Sequence, residues 1–377
     1  MKLNLKTRTI IPVQLILIVV MTGMAFFNYS SQVAVLNNDM DDTLNSALST
    51  GYVMIDNNLN LYQQMATLVS QIPTLEGMFA KGDRTRLHAE MAPAFASLQK
   101  RFNLFQFQFH QPPATSFLRM NTPEKYGDDL SSFRHTVVSV NSQRKGVKGL
   151  EIGRTGIGLR GVEPISFKGQ HYGSVEFGGD VLPVLENIKK TFGAEVGITL
   201  TQQAASIVFP DWQKQAALIG DNIPYFSTNN DLTQNVLSPD LFRRGAISMK
   251  GSVLVENTRA RGRDYAVAIS PLLDYSGQKI GFLYLVKDRT DMLNKIRKTL
   301  YINFAVYVTI LVIVSWAIAA TITRNVVRPV VDLTQTADDI SMGKLGDRID
   351  VEGAKDEIAT LAKSIDRMRV SMKKLME

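Results

Sequence analysis

The chain has 377 residues, 45% of them hydrophobic and 20% charged, which is enough for two or three domains with apolar cores and too apolar for a disordered chain. Its net charge of +7 is spread along the chain and forms no dense basic segment, so we expect no nucleic-acid partner. The absence of Cys excludes disulfides, iron–sulfur clusters, thiol nucleophiles and Cys-bound zinc.

Two uncharged apolar stretches, 10–27 and 301–322, are long enough to cross a bilayer. Three basic residues and no acid precede the first, and Lys and Arg are then absent until Lys81. The positive-inside bias therefore predicts an uncleaved anchor with a cytoplasmic N-terminus, although a cleaved signal peptide is the alternative. The expected bounds are 1–9 for the cytoplasmic N-terminus, 10–28 for the first span, 29–299 for the outer segment, 300–322 for the second span and 323–377 for the inner segment.

The outer segment begins with apolar residues at a spacing of three or four up to Ile72, which predicts a long helix continuing the first span. Between residues 105 and 110 the period becomes two, because three Phe residues alternate with two Gln and His110, and this predicts a half-buried strand. We expect a second strand at 116–120, a helix capped by Asp128 or Asp129, and further strands up to Asp180. The pattern is typical of an antiparallel sheet flanked by helices.

An internal repeat divides the outer segment. The pattern Gly-Gln-x-x-Gly, followed seven residues later by Asp, begins at Gly169 and again at Gly277, and it ends at Asp180 and Asp288. A Pro precedes each copy and an apolar strand follows each. Duplication of a sheet-forming module explains this better than chance, and it predicts a first, membrane-distal module over about 60–185 and a second, membrane-proximal module over about 186–290.

With this order of helix, two sheet modules and second span, residues 30–295 resemble the double Cache sensing domains of bacterial transmembrane receptors. The best local matches are 117–135 and 158–178. The first module is also similar to single-module sensors of citrate and dicarboxylates, whose Leu-Arg-Gly strand carries an Arg that contacts the ligand. That resemblance implies a ligand contact for Arg160.

Residues 119–160 hold eight Lys or Arg and four acidic residues. Because a guanidinium matches a carboxylate bidentately, we expect convergent Arg side chains to bind a small, carboxylate-type anion. The alternative is that each Arg pairs with Glu151, Glu163, Asp128 or Asp129, or is solvated. The candidate ligand-binding residues are Arg119, Arg134, His135, Arg154, Arg160 and His110.

Other site chemistries find little support in the sequence. The four His residues lack the spacing of metal motifs, and no nucleotide-binding or hydrolase signature occurs. We therefore expect no metal, no cofactor and no enzymatic activity.

In the inner segment, Pro329 is placed to open a helix that stops at Gly343, and Asp356-Glu357 opens a second helix after a connector. The second helix carries an apolar seam with spacings of three and four up to Leu375, which predicts a parallel four-helix bundle in a homodimer. Asp366 and Arg369 are expected to lie away from this seam. The arrangement resembles a HAMP signal-relay domain, which implies relay roles for Pro329, Gly343, Leu345, Ile349, Glu357, Ile365 and Met368.

The predicted fold class is α+β: a two-span membrane protein with a long N-terminal helix, two tandem Cache-type antiparallel sheet modules outside and a HAMP parallel four-helix bundle, as a dimer, inside. The sequence is most like the sensing half of a methyl-accepting chemotaxis protein in a bacterial inner membrane. The input half of a sensor histidine kinase or diguanylate cyclase, and a membrane-anchored binding or scaffold protein, remain as alternatives. The seam is still in register at Leu375, so we expect the output in a longer chain or in a separate cytoplasmic kinase or adaptor.

Overall fold

The computed structural model describes residues 5–102, 104–209, 211, 218–247, 254–346 and 357–376. The chain divides into two compact units. Leu36–Leu293 form one, which we call the sheet unit, and Met1–Val35 with Asn294–Glu377 form the other, which we call the helical unit.

Helix α1, Leu5–Ser70, is continuous over 66 residues, as the period of its apolar residues predicts. Within the sheet unit it contacts both modules. The Tyr52 hydroxyl donates to the carbonyl of Pro271 at 2.9 Å, and Gln63 Nε2 donates to Glu163 Oε1 at 2.9 Å. Two shorter helices, α2 (Pro73–Ala80) and α3 (Arg84–Phe102), complete this side of the first module.

The first module holds a five-stranded antiparallel sheet in the order β2-β1-β5-β4-β3. Helix α4, His135–Gln143, lies on the face opposite α1. The strands are β1 Gln106–Gln111, β2 Thr115–Arg119, β3 Val147–Gly153, β4 Gly156–Phe167 and β5 Gln170–Asp180.

The second module repeats this topology, since its sheet has the order β7-β6-β10-β9-β8 and its own first strand again pairs with its second and fifth. Duplication of the module is thus visible in the strand order. The strands are β6 Glu195–Thr201, β7 Asn222–Ser227, β8 Leu254–Ala260, β9 Arg263–Leu273 and β10 Lys279–Asp288. The helices are α5 Leu182–Phe192, α6 Gln202–Val208, α7 Asn230–Val236 and α8 Pro239–Ile247.

The repeated Gly and Asp residues have the same structural roles in both copies. Gly169 and Gly277 take left-handed φ values of 80° and 82° in the turns before β5 and β10, where a side chain would be strained. Asp180 accepts a hydrogen bond from the Leu182 backbone N–H at 3.0 Å, and Asp288 accepts one from Thr290 at 2.9 Å. Each Asp therefore satisfies a free N–H at the start of the next helix.

The prediction that Asp128 or Asp129 caps the helix was wrong, because α4 begins only at His135. Asp129 instead accepts from the Ser131 N–H at 2.9 Å within a turn. The free N–H of Thr136, in the first turn of α4, donates at 2.7 Å to Oε1 of Glu151 on β3. The cap is thus supplied by a side chain on the sheet face that α4 covers.

The helical unit contains most of helix α9, Thr290–Ile322, which runs through a π-helical turn at Thr323–Val327 into α10, Arg328–Ser341. Two helices, α1 and the one beginning at Thr290, carry apolar stretches long enough to cross a membrane. The π-helical turn joins α10 to α9 without a break, and Pro329 is the second residue of α10, as the sequence predicts. The widened turn accommodates it, since Pro has no N–H to donate and the Arg328 N–H donates five residues back to Thr323.

Helix α10 ends as predicted near Gly343, whose φ is 81°. Leu345 is half-buried, and Ile349 and Asp356 lie outside the described residues. Helix α11 spans Glu357–Met376.

The face of α11 that is buried within one chain is not the predicted seam. Ala359 and Ala362 are buried, whereas Met368 of the seam is 48% exposed and Leu375 is 85% exposed. Ile365 is half-buried. One chain alone thus leaves much of the apolar seam uncovered.

Asp366 and Arg369 lie on the same side of α11 as Ala359 and Ala362, away from the seam as expected, and this side is mostly buried. The Arg369 side chain is 11% exposed, and its Nη1 donates to the Gly346 carbonyl at 3.0 Å.

Candidate functional site

The two faces of the first sheet differ in polarity. Residues directly opposite each other in antiparallel strands share a face, so the strand register assigns every side chain to one side. The face toward α1 is mostly apolar, with Phe107 and Phe177 stacked at 4.1 Å between ring centroids. The face toward α4 carries Gln106, Gln108, His110, Arg119, Glu151, Arg160, Ser174 and Glu176.

A cluster of ionisable side chains lies on the polar face, and we call it the charged cluster: Arg134, Arg160, Glu151, Glu176 and His110. Arg134 Nη1 is 3.2 Å from Glu151 Oε2 and 3.2 Å from Glu176 Oε1. Arg160 Nη1 is 3.3 Å from the same Glu176 oxygen, and His110 Nε2 is 3.5 Å from Glu176 Oε2. These side chains are at most 6% exposed, so their charges are compensated inside the protein.

Burial and charge act against each other in this cluster. Burial works to raise the pKa of Glu176, but Arg134 and Arg160 outweigh it and the pKa lies below its ordinary value. Burial raises the pKa of Glu151, and it lowers the pKa of Arg160 to about 10, which still leaves that guanidinium charged at neutral pH. Burial also lowers the pKa of His110 to about 4, so the imidazole is uncharged at neutral pH.

The space for Arg160 is provided by glycines. A Cβ at Gly158 would lie 2.3 Å from Arg160 Nη2, and one at Gly178 would lie 2.5 Å from Nη1. Gly158 precedes Arg160 by two residues on β4, and Gly178 is directly opposite it on β5. Both glycines therefore allow the guanidinium to lie flat along the sheet.

Several buried polar atoms on this face lack a hydrogen-bond partner within the described part of the chain. They are Arg160 Nε, Glu176 Oε2, His110 Nδ1, Ser116 Oγ and Ser174 Oγ on the sheet, together with Thr136 Oγ1 on α4 above it. A buried polar group without a partner costs about 1–3 kcal/mol, and such groups are rare in folded proteins. Both donors and acceptors are among these atoms, which is what a small polar ligand requires.

The second module provides an internal comparison at equivalent positions. Where the first sheet has Glu176, the second has Tyr284, and Val267 takes the place of Arg160. Val267 and Tyr284 belong to an apolar core that also includes Phe242 of α8. The shared topology is therefore stable with an apolar face, and the charges of the first module are not needed for the fold.

The structure brings three of the six candidate ligand residues together, namely Arg134, Arg160 and His110. Arg119 shares their face but is engaged by Asp128, to which it donates two hydrogen bonds of 2.8 and 2.7 Å. His135 and Arg154 are exposed, and Arg154 lies over the Phe133 ring at 4.6 Å. These three do not join the charged cluster.

The acidic half of the cluster was not predicted as part of a site. Glu151 entered only as an alternative pairing partner for an Arg, which is the role it has with Arg134, and Glu176 was not singled out. The available signal was a charged residue flanked by Val175 and Phe177 within an apolar strand, because that pattern places a charge inside when both faces of the sheet are covered.

Two five-stranded sheets of one topology behind a single long helix define a double sensing domain. Residues 37–293 match the dCache_3 family, described as the double sensory domain of two-component sensor kinases, and residues 321–374 match the HAMP domain. The first match covers more than half of the chain, so the chain belongs to the dCache_3 family. The predicted double Cache receptor with a HAMP domain is confirmed, and with its two apolar helices the chain is a transmembrane sensor.

No curated protein sequence matches the chain. Among solved structures, it is similar to the sensory domain of the Campylobacter jejuni chemoreceptor Tlp3 (CcmL) with isoleucine bound, at 10% identity and a TM-score of 0.46, covering 71% of this chain and 98% of that one. The sensor domain of the Vibrio cholerae histidine kinase DctB has 13% identity, a TM-score of 0.40 and coverages of 68% and 98%. A domain of a sensory box/GGDEF family protein from Vibrio parahaemolyticus has 18% identity, a TM-score of 0.37 and coverages of 66% and 96%.

Proposed function

We propose that this chain is the input part of a bacterial inner-membrane receptor whose first module binds a small, carboxylate-bearing anion at the charged cluster. The observation that carries this proposal is the contrast between equivalent faces of the two modules. Burying charged groups costs several kcal/mol each before their pairing is counted, and apolar residues at the same positions support the same fold in the second module. A ligand site explains why the first module keeps them.

The unpartnered atoms suggest how the ligand is held. Its carboxylate accepts a hydrogen bond from the free Nε of Arg160, and Oε2 of Glu176 accepts from a hydroxyl of the ligand. Arg160 is already paired on Nη1, so its guanidinium is fixed before the ligand arrives. A fixed donor set loses little entropy on binding.

Access to the cluster requires movement of α4 and of the segment that precedes it. Arg134 lies at the start of α4 and bridges Glu151 and Glu176 on the sheet, which holds this segment closed. A ligand carboxylate competes with both Glu residues for Arg134. Binding therefore changes how α4 is held on the sheet.

A contact between the modules offers a route for the signal. On β3 the Leu150 carbonyl, next to Glu151, accepts from the Tyr275 N–H at 2.9 Å, and the Ile157 N–H donates to the Tyr225 hydroxyl at 3.2 Å. The β3–β4 hairpin thus lies between the charged cluster and the second module. The last strand of that module, β10, leads directly into α9.

We propose the orientation and assembly that the sequence predicts. Both termini are cytoplasmic, residues 29–299 are outside, and the spans and the HAMP domain have the bounds expected from the sequence. The exposed seam at Met368 and Leu375 supports a homodimer, since a second copy would cover it.

The output we propose is chemotaxis through a separate or downstream signalling domain, with no catalytic activity in this chain. A histidine kinase is the second candidate, and the description of the matched family favours it. The coding DNA after Glu377 distinguishes them: a long heptad hairpin indicates a chemoreceptor, a kinase domain indicates the second candidate, and a stop codon indicates a separate partner or a scaffold.

Ligand binding is tested by thermal unfolding of the full chain in nanodiscs, against formate, lactate and succinate and against their neutral amides. A carboxylate at a hundred times its Kd should stabilise the chain by about 2.7 kcal/mol. Arg160→Lys keeps the charge but loses the planar fork, so it should weaken binding at least about tenfold. Arg154→Lys is the matched control and should bind as the wild type does. Equal binding by both variants, or stabilisation by the amides alone, would contradict the proposal.

A further inference from the structure

His110 is placed to accept a proton inside the charged cluster. Its Nε2 lies 3.1 Å from Gln108 Oε1 and 3.5 Å from Glu176 Oε2, and both are acceptor oxygens. The neutral ring therefore carries its proton on Nε2 and leaves a lone pair on Nδ1. Nδ1 is buried and has no hydrogen-bond partner within the described residues.

The charges that face His110 come from four elements. Glu176 approaches from β5, Arg160 from β4, Arg119 from β2 and Arg134 from the start of α4. Arg119 is compensated by its own partner outside the cluster.

With Glu151 of β3 included, the charged cluster has two positive groups, two negative groups and a neutral imidazole. Its net charge is zero before any ligand binds.

An anionic ligand adds one negative charge to this neutral and almost fully buried site, and an uncompensated buried charge is strongly unfavourable. We infer that the anion enters together with one proton from solvent, and that Nδ1 of His110 binds this proton. One N–H bond forms, the new imidazolium offsets the charge of the anion, and no other bond changes. The inference rests on the proposed function, because it concerns the same site.

Glu151 is the other group that could take the proton, and its contacts argue against it. Its Oε1 accepts from the Thr136 N–H at 2.7 Å, and its Oε2 pairs with Arg134 at 3.2 Å. Both contacts favour the carboxylate, whereas protonation of His110 uses an atom that has no partner. Burial keeps the pKa of His110 at about 4, so at neutral pH the imidazole is still free to take up the proton.

Proton uptake makes affinity depend on pH. Between the pKa of His110 in the free protein and its higher pKa in the complex, each unit of lower pH should raise the affinity by up to about tenfold. Above the pKa of the complex the affinity should level off.

The test uses the full chain in nanodiscs and sodium formate, the smallest carboxylate, which stays ionised between about pH 5 and about pH 8. Titration calorimetry of the wild type in two buffers of different ionisation enthalpy should report uptake of about one proton. His110→Gln should bind formate with little pH dependence and no uptake. His171→Gln, a change on β5 outside the charged cluster, is the matched control. It should keep both the pH-dependent affinity and the proton uptake.

The outcomes separate the inference from the function on which it rests. Formate binding without proton uptake by the wild type would overturn the inference and leave the proposed function standing, and this result needs no variant. Unchanged uptake in His110→Gln would also overturn it. Absence of formate binding at every pH would overturn the proposed function and the inference with it.

Discussion

Glu176 is the residue on which the charged cluster depends, because its carboxylate faces Arg134, Arg160 and His110. Glu176→Gln should leave the two buried guanidinium groups of Arg134 and Arg160 with Glu151 as the one carboxylate of the charged cluster. We expect a loss of about 3–5 kcal/mol in the free energy of unfolding, measured by chemical denaturation of the full chain.

The matched control is Asp128→Asn, which removes the partner of Arg119 in a pair whose acidic side chain is 48% exposed. It should cost no more than about 1 kcal/mol. Similar losses in the two variants would mean that the charged cluster is hydrated and less buried than its exposed fractions indicate.

His110 should also give the unliganded protein a pH-dependent stability. Its pKa is about 4 when folded and 6.5 ordinarily, so between these values the unfolded chain binds more protons. Stability should fall as pH falls from 6.5 to 4, by about 3 kcal/mol in total, and the contribution of His110 should be constant above that window. Denaturation of the wild type and of His110→Gln across this range checks it.

The difference between the two proteins isolates His110 from Glu151 and Glu176, whose own pKa values are also shifted. Parallel pH curves would contradict the assignment.

The basic side of the site could be found from sequence because few Arg residues occur between 119 and 160, and each could be weighed singly. Glu176 could not be found this way, since its burial depends on a helix, α4, that covers the second face of the sheet. Arg119 and Arg154 failed to join the cluster for a related reason. Arg119 pairs with Asp128 and Arg154 packs on Phe133, and these local contacts hold both side chains outside the charged cluster.

Among the elements, the β3–β4 hairpin is placed to join the two modules. Tyr225→Phe removes the oxygen that accepts from the Ile157 N–H and should cost about 1–3 kcal/mol, since that N–H is left unpaired at a partly buried contact. Unfolding of the full chain measures the loss, and faster hydrogen exchange at Ile157 locates it.

Tyr172→Phe serves as the control, because the Tyr172 hydroxyl donates at 3.4 Å to Gln170 in an exposed contact. It should change stability by less than about 0.5 kcal/mol. Protection at Ile157 that survives Tyr225→Phe would rule out this contact as a link between the modules.

Periodicity predicted the long helix and the strands because these patterns are local. It placed the start of α4 too early, since the N–H that needed a cap is satisfied by Glu151, a residue fifteen positions later in the chain. The π-helical turn before Pro329 was not predicted, for a similar reason. A Pro marks a disturbed turn, but whether the helix breaks or widens there depends on how the neighbouring turns are packed.

At the scale of the whole molecule, duplication gives two sheets of one topology whose equivalent faces carry different residues. The repeat at Gly169 and Gly277 was readable because turns and caps demand particular residues in both copies. The difference between the polar face of the first sheet and the equivalent face of the second could not be read from the sequence. The replacement of Arg160 by Val267 is visible only once the strand register is known. In the proposed function, the first module binds the ligand and the second transmits the signal.

A dimer in the membrane is the remaining requirement of this scheme, and the Cys-free chain allows a direct test. Met368 is 48% exposed on the predicted seam of α11, so Met368→Cys should form a disulfide with its counterpart in a second copy under mild oxidation of membranes. Lys363→Cys, on the opposite side of α11 by helical spacing and exposed, is the matched control and should crosslink much less.

Asp366 and Arg369 are unsuitable controls, because Arg369 packs on the connector at Gly346. Equal crosslinking at Met368 and Lys363, or none at Met368 in membranes where the protein is dimeric by light scattering, would rule out the seam and the parallel four-helix relay built on it.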